Sequence, residues 1–126
     1  MSEATEVQKK PHGVGRDITE LVKQDILTRP ILVPEHGFET VALWIRSAAA
    51  YLKSRQLEDQ GGIVMPPAIL QVAACLQQDV ESRAQLGEFK YGERLRAHNG
   101  RDPEVDAYQE LLDAWMYFRQ REEERS

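Results

Sequence analysis

Apolar residues recur every three or four positions in four segments of the chain, which is the spacing of a helix. No segment alternates convincingly between apolar and polar residues with the two-residue period of a strand. The first helical segment spans about residues 18–28, where Asp17 is a good N-cap and Pro30 ends the helix. The second runs from about Phe38 to Arg55, with an apolar stripe made of Phe38, Val41, Ile45, Ala48, Ala49 and Leu52.

Two further long helices are predicted in the second half of the chain. One begins near residues 66–67, because this pair of prolines is tolerated in a first helical turn, and it continues to about Gly87. The other begins where Asp102 supplies an N-cap and Pro103 a first helical residue, and it ends near Gln120. The pattern predicts an all-α bundle of three long helices and one short N-terminal helix.

The length of 126 residues fits a single domain of common size. Residues 1–16 are polar and broken by proline and glycine, which indicates a flexible N-terminal tail. The predicted organisation is therefore a flexible tail over residues 1–16, one helical domain over 17–120 and a charged tail over 121–126.

Cysteine content and charge exclude several classes of protein. The single cysteine, Cys75, excludes an intramolecular disulfide framework and a Cys-based zinc site. Sixteen basic residues against 21 acidic ones give a net charge of −5, which argues against stable nucleic-acid binding. No apolar run approaches the roughly 20 residues that span a bilayer, and the first residues lack the apolar core of a signal peptide. We therefore expect a cytoplasmic protein that does not bind membranes.

Three carboxylates share one face of the last predicted helix. Asp106, Glu110 and Asp113 fall at positions i, i+4 and i+7, and Tyr117 continues the same face. Stacked like charges repel each other on a surface helix, and buried carboxylates need a cation or a metal. Oxygen ligands at Glu110 and Asp113 suit Mg²⁺ or Mn²⁺. A solvated acidic face is the alternative, and spacing alone favours it.

A further carboxylate interrupts the apolar stripe of the preceding helix. Asp79 follows Val72 by seven residues and Leu76 by three, which places it on the face expected to pack. Arg83 follows one turn later on the same ridge, whereas Glu81 lines up with a polar face. Asp79 therefore fits either a structural ion pair with Arg83 or a metal ligand beside a cation, and both alternatives stay open.

The segment between these two helices is basic. Residues 90–101 contain one acidic residue, Glu93, and four basic ones: Lys90, Arg94, Arg96 and Arg101. Such side chains pair with phosphate oxygens, and Asn99 or His98 is a candidate for recognising a base or a phosphate. An ordinary basic surface loop is the alternative. A cationic loop between two carboxylate-bearing helices is nevertheless what a metal-dependent phosphate-ester site requires.

Three short motifs between residues 79 and 119 carry a family resemblance. They are Lys90-Tyr91-Gly92, then His98-Asn99-Gly100-Arg101-Asp102, then Asp106-Ala107-Tyr108-Gln109-Glu110 with Asp113 and Tyr117. This stretch, about a third of the chain, resembles the small MazG-like proteins of phages and bacteria, which are all-α nucleoside triphosphate pyrophosphohydrolases. It is similar to the dATP/dGTP pyrophosphohydrolases of phages that replace adenine with 2-aminoadenine.

The usual signature of this family is E-x-x-E, a spacer and then E-x-x-D. The second half is intact from Glu110 to Asp113. The nearest match to the first half is Gln78-Asp79-Val80-Glu81, which has a glutamine where a glutamate is expected. Family spacing favours Glu81 as a metal ligand, whereas helical phase favours Asp79, which we rank slightly ahead while keeping both.

The resemblance implies a metal-dependent (deoxy)nucleoside triphosphate pyrophosphohydrolase that uses Mg²⁺ or Mn²⁺. Water would attack the α-phosphorus and release pyrophosphate and a nucleoside monophosphate, with dGTP and dATP as candidate substrates. The implied metal ligands are Asp79, Glu81, Glu110 and Asp113, of which Glu110, Asp113 and Asp79 are the expected catalytic residues. The implied substrate contacts are Lys90, Arg96, Asn99, Arg101, Asp106 and Tyr117.

The resemblance also implies a homodimer or homotetramer, because family members commonly complete their sites across subunits. If the chain is phage-encoded, its location is the cytoplasm of the bacterial host. Two alternatives remain. One is a nucleotide-binding module of the same fold without catalysis, and the other is a structural helical oligomer whose acidic face is solvated.

Overall fold

The computed structural model describes residues 13–61 and 69–125 of the chain. Every regular element in these ranges is a helix, which confirms the predicted all-α class. The four helices are α1 (Ile18–Thr28), α2 (Phe38–Asp59), α3 (Ile69–Tyr91) and α4 (Pro103–Arg125). No helix of the described residues is long and apolar enough to cross a membrane.

The predicted helix ends agree with the structure for α1 and fall short for the others. Helix α2 extends four residues past Arg55, and α3 continues through Gly87 to Tyr91. Helix α3 ends where Gly92 takes a φ of 86° and donates its N–H to the Glu88 carbonyl, a backbone conformation that favours glycine. The predicted start of α3 near residues 66–67 and most of the predicted N-terminal tail lie outside the described residues.

Residues 121–125, predicted as a charged tail, continue helix α4. Side chains four residues apart support this last stretch, since Gln120 donates to Glu124 at 2.9 Å and Arg119 pairs with Glu123 at 3.4 Å. Arg125 lies in the final turn, where a positive charge interacts favourably with the helix dipole. Local side-chain pairs thus extend a helix that apolar periodicity alone ends too early.

The chain divides into two compact units. Of the described residues, one unit contains α2 and α3 (34–61 and 69–96), and the other contains α1 and α4 (13–33 and 97–125). We call them the α2–α3 unit and the α1–α4 unit and describe each by itself. The prediction of one domain over residues 17–120 stays a prediction.

In the α1–α4 unit, a short helix packs on a long one. Helix α1 begins at Asp17, whose carboxylate accepts hydrogen bonds from the backbone of Thr19 and Glu20 at 2.8 and 3.4 Å. Its buried apolar side chains are Leu21 and Val22. Because an 11-residue helix has a small apolar face, these two residues form most of the apolar part of its contact.

Charged side chains complete the contact between α1 and α4. Arg119 donates to Asp25 at 2.8 Å, and both residues are less than a tenth exposed. Arg16 donates to both carboxylate oxygens of Glu123 at 2.9 Å. Together these residues form an alternating chain of charges, which we call the α1–α4 charge network: Arg16, Glu123, Arg119, Asp25, Arg29 and Glu122.

In the α2–α3 unit, the two long helices contact each other through a different face of α2 from the one that the apolar stripe predicts. Partly buried residues of α2 recur at positions i, i+3, i+4 and i+7: Ala50, Lys53, Ser54 and Leu57. Lys53 pairs with Asp79 of α3 at 2.7 Å, so this row faces α3. At about 100° per residue, the centre of this row lies about 140° around α2 from the centre of the predicted stripe.

Most of the predicted stripe of α2 is exposed within its unit, although Val41 is partly buried. Its largest members, Phe38, Ile45 and Leu52, all keep large exposed surfaces, and Trp44 and Tyr51 lie exposed beside them. We call this surface the outer face of α2. On α3, the apolar residue buried in the unit is Val72, which matches the sequence-based stripe.

Candidate functional site

The three carboxylates of α4 lie on the side of the helix away from α1. Glu110 and Arg119 are nine residues apart, two and a half turns, so they occupy opposite sides of the helix. Arg119 is the residue that α4 buries against α1. Glu110 and Asp113 are exposed, and among the described residues neither carboxylate has a hydrogen-bond or ion-pair partner. Tyr117 is also exposed and continues this side of the helix, as predicted.

Asp106, the first carboxylate of this face, is held in a two-point contact with Arg101. The Arg101 Nε donates to Oδ2 of Asp106 at 2.9 Å, and Nη2 donates to Oδ1 at 2.8 Å. This is the parallel geometry in which guanidinium and carboxylate match best. The hydrogen bonds from Arg101 lower the pKa of Asp106 below its ordinary value. Two residues predicted to contact substrate are therefore bound to each other.

The turn before α4 fixes the backbone on which Arg101 lies. The side-chain oxygen of Asn99 accepts a hydrogen bond from the Arg101 backbone N–H at 3.0 Å. Gly100 has a φ of 86°, and His98 has a φ of 60°. Asp102 then caps α4 by accepting from the N–H groups of Glu104 and Val105, at 3.0 and 3.3 Å. Asn99, predicted to contact substrate, thus uses its side-chain oxygen to shape the turn.

The predicted carboxylate ligands of α3 both pair with cations in their own unit. Asp79 accepts from Lys53 of α2 at 2.7 Å and is about half exposed. Glu81 pairs with Arg94, whose guanidinium also lies 3.8 Å from Glu88. Asp79 therefore lies on the packed side of α3, as helical phase predicts, and Lys53 of α2 supplies a cation that meets it.

The basic residues of the predicted loop divide between helix and loop. Lys90 lies in the last turn of α3 rather than in the loop, with its ammonium 5.3 Å from the centre of the neighbouring Tyr91 ring. Arg94 and Arg96 lie in the loop, and Arg96 is exposed. Of these cations, Arg96 and Lys90 are open to solvent, whereas Arg94 is partly buried beside Glu81.

The described residues include carboxylates of the kind that bind Mg²⁺ or Mn²⁺, but they are not grouped into a metal site. No three His, Cys, Asp or Glu side chains of residues 13–61 and 69–125 are grouped so that they could hold a metal ion. The α4 pair, Glu110 and Asp113, supplies unpaired carboxylate oxygens, the ligand type that Mg²⁺ and Mn²⁺ prefer. On α3, a metal would have to replace Lys53 at Asp79 or Arg94 at Glu81. The metal site thus stays a prediction, and the α4 carboxylates fit it best.

Two residues that form ion pairs between helices, Lys53 and Asp25, were not predicted from the sequence. Lys53 belongs to the row of α2 that faces α3, and its charge is the signal that could have paired it with Asp79. Asp25 follows Leu21 by four residues and Val22 by three, so it shares their buried side of α1. The phase argument that placed Asp79 on a packed face would have placed Asp25 there as well. Its partner, 94 residues away, has no local signal.

Comparisons with known proteins do not assign the chain to a family. No protein-family model, curated protein or solved structure matches it.

Proposed function

We propose that this chain is a MazG-like, metal-dependent (deoxy)nucleoside triphosphate pyrophosphohydrolase, with dGTP and dATP as the substrates to test first. The observation that carries the proposal is the open face of α4. Glu110 and Asp113 lie there without a counter-ion among the described residues, and Arg101 is held at the N-terminal end of the same face. Carboxylates for a divalent cation thus lie on α4, and a cation for a phosphate lies in the turn that leads into it.

The unpaired carboxylates favour metal binding on physical grounds. Like charges three or four residues apart destabilise a helix by a few tenths of a kcal/mol per pair, and nothing among the described residues neutralises Glu110 or Asp113. A divalent cation bound by both would reverse this repulsion. In the proposal, Glu110 and Asp113 hold the metal, and Asp79 and Glu81 stay the further ligands that the sequence predicts. Bound Mg²⁺ or Mn²⁺ would lower the pKa of a coordinated water and neutralise the triphosphate charge.

The remaining roles belong to the basic side chains. The phosphate oxygens would be bound by Arg101, Arg96 and Lys90. Their positive charges would stabilise the negative charge that accumulates on the leaving pyrophosphate. For Asp79 or Glu81 to act as a ligand, Lys53 or Arg94 has to give up its present ion pair. Either released cation would then lie near a carboxylate-bound metal, where a phosphate is its natural new partner.

We further propose that the protein is a homodimer or homotetramer in the cytoplasm, where nucleoside triphosphates occur. The outer face of α2 supports self-association. Three large aromatic side chains, Phe38, Trp44 and Tyr51, each expose about half or more of their surface there. With roughly 150–250 Å² for each aromatic side chain, these three alone expose on the order of 300 Å². Ile45 and Leu52 are exposed on the outer face of α2 as well and add to this surface. Large exposed apolar surfaces commonly mark contacts with other proteins.

The deciding experiment measures pyrophosphate release from each of the common nucleoside and deoxynucleoside triphosphates, with Mg²⁺ and with Mn²⁺. We expect release, and we expect Glu110→Gln and Asp113→Asn each to lower kcat by at least roughly 100-fold, the usual effect of losing a charge that stabilises a transition state. Glu104→Gln is the matched control because Glu104 lies on a different side of α4 and loses the same charge. Full activity in the Glu110 and Asp113 variants would refute the site.

A non-catalytic nucleotide-binding module is the second candidate. Two observations favour it: Asp79 and Glu81 are both engaged by cations, and residue 78 is a glutamine where the family signature has a glutamate. In that case calorimetry detects nucleotide binding, while no pyrophosphate is released with any divalent metal. Release of pyrophosphate that depends on Glu110 would exclude this candidate.

A further inference from the structure

The contact between Arg101 and Asp106 assigns a new role within the site, and this inference rests on the proposed function. We infer that Asp106 is a positioning residue, which holds the Arg101 guanidinium in a fixed orientation to receive a phosphate of the substrate. Asp106 then acts through Arg101 and contacts neither the substrate nor a metal. This role differs from the substrate contact that the family resemblance implies for Asp106.

The geometry of the pair is the first support. Two nearly equal hydrogen bonds, 2.9 and 2.8 Å, join Nε and Nη2 of Arg101 to the two oxygens of Asp106. A single hydrogen bond would let the guanidinium rotate about it, whereas two parallel ones fix its plane. A fixed plane matters for a planar cation that presents hydrogen bonds in only a few directions.

The backbone on both sides of the pair is also fixed, so the orientation is defined at both ends of the Arg101 side chain. The backbone N–H of Arg101 donates to the Asn99 side-chain oxygen at 3.0 Å, and the next residue, Asp102, is the N-cap of α4. Asp106 lies in the first turn of α4, one turn after that cap. Since a turn and a helix end anchor the two partners, the contact requires no long-range folding to form.

The exposure of the two side chains shows which partner is available to a ligand. The Arg101 side chain is 71% exposed although it is paired, whereas that of Asp106 is 39% exposed. A dissolved phosphate can therefore reach the guanidinium without breaking the contact. The hydrogen bonds from Arg101 lower the pKa of Asp106, so the carboxylate stays charged at neutral pH and holds its partner.

Pre-orientation has a physical advantage that offsets the loss of net charge. Asp106 cancels part of the positive charge of Arg101, which weakens its long-range attraction for an anion. In return, binding does not have to immobilise a long flexible side chain, and that cost recurs in every binding event. The contact therefore favours orientation of a phosphate over indiscriminate capture of anions.

A double-mutant cycle tests this role, with kcat and KM for the preferred triphosphate as the readout. We expect Asp106→Ala to lower kcat/KM by roughly 10- to 150-fold, the range expected for a charge-assisted hydrogen bond. We expect the same substitution to have almost no further effect in an Arg101→Ala background. Asp106→Asn, which keeps one acceptor oxygen, should retain part of the activity. Arg101→Lys should be about as impaired as Arg101→Ala, since an ammonium cannot form the two-point contact with Asp106.

Two results would overturn the inference. If Asp106→Ala still lowers kcat/KM in the Arg101→Ala background, Asp106 contacts the substrate or a metal itself. If Asp106→Ala raises kcat/KM, the carboxylate competes with phosphate for Arg101 and the contact is inhibitory. Glu104→Gln is the control for the loss of an acidic residue in the same helical turn, and it should change neither parameter.

A second measurement separates this inference from the proposed function. If the wild-type chain hydrolyses no triphosphate, the proposed function fails, and the cycle is then run on the binding of inorganic tripolyphosphate by calorimetry. Weakened binding in both single variants, with no further loss in the double variant, would support a phosphate site positioned by Asp106. Additive losses, or binding that depends on neither residue, would refute it. NMR of the Arg101 Nε–H, whose signal should change in Asp106→Ala, checks that the contact exists in solution.

Discussion

The two units of this chain reach their helix–helix contacts in different ways. In the α1–α4 unit, a buried ion pair and the charge network around it accompany two buried apolar side chains. In the α2–α3 unit, two helices of more than 20 residues meet around Val72 and the pair of Lys53 and Asp79, while the outer face of α2 stays exposed. The shorter helix thus has the more specific contact.

This difference teaches what each contact contributes. A buried ion pair adds little net stability, but it strongly disfavours arrangements that separate its partners. Helix α1 has a small apolar face, so we expect the charge network to select its position on α4. In the α2–α3 unit, the outer face of α2 leaves apolar side chains exposed, and the proposed self-association would bury them. Helix α4, which carries the candidate site, is therefore anchored by charge.

The largest effect is expected from breaking the buried pair of the α1–α4 unit. Arg119→Met leaves the buried Asp25 without its closest partner, so we expect a loss of about 2–4 kcal/mol in the free energy of unfolding. Lys53→Met in the α2–α3 unit leaves a half-exposed Asp79, and we expect a loss below about 1 kcal/mol. Urea unfolding of both variants measures the difference.

The double variant Asp25→Leu/Arg119→Met completes this comparison. Because it removes both charges together, it should regain most of the stability that Arg119→Met loses. Equal losses for Arg119→Met and Lys53→Met would show that burial of the ion pair does not distinguish the two units.

An intermediate effect is expected on self-association. Ile45 on the outer face of α2 and Ile26 on α1 are 48% and 44% exposed, so they form a matched pair. We expect Ile45→Glu to weaken the oligomer by roughly 30-fold or more, as for a residue near the centre of an interface. Ile26→Glu should leave its dissociation constant almost unchanged. Sedimentation velocity across a range of concentrations measures both, and a wild-type chain that stays monomeric would remove the proposed role of the outer face.

The smallest effect is expected from acid. The hydrogen bonds from Arg16, with the charges of Arg16 and Arg119, lower the pKa of Glu123 in the folded protein below its ordinary value of 4.5. The folded state therefore favours the ionised carboxylate, and this stabilisation is present above pH 4.5 and lost as the pH falls through the lowered pKa. Glu123→Gln should flatten the acid side of the stability profile.

Urea midpoints measured at a series of pH values test this dependence. Glu124→Gln is the control, since Glu124 accepts a hydrogen bond from Gln120 on its own helix rather than pairing with α1. If both variants keep the wild-type slope, the contact of Arg16 with Glu123 does not contribute to the acid sensitivity of the unit.

Local interactions made the helices of this chain predictable. Asp17, Pro30 and the pair of Asp102 and Pro103 act within one turn of their own positions, so the start of α1, its end and the start of α4 could be assigned from sequence. The shared face of the α4 carboxylates follows from helical spacing in the same way. The contact of Arg101 with Asp106 spans only five residues, but helical periodicity does not predict it because Arg101 lies in a turn.

The tertiary structure alone decided which face of each helix meets which partner. The stripe of α2 has helical spacing, but α3 packs against a different side of the helix, where Lys53 pairs with Asp79. Asp25 and Arg119 are separated by 94 residues, and no local rule relates them. Helix formation depends on neighbours three or four positions away, and the sequence determines it by itself. Helix pairing depends on long-range packing and charge, which become defined only when distant segments meet.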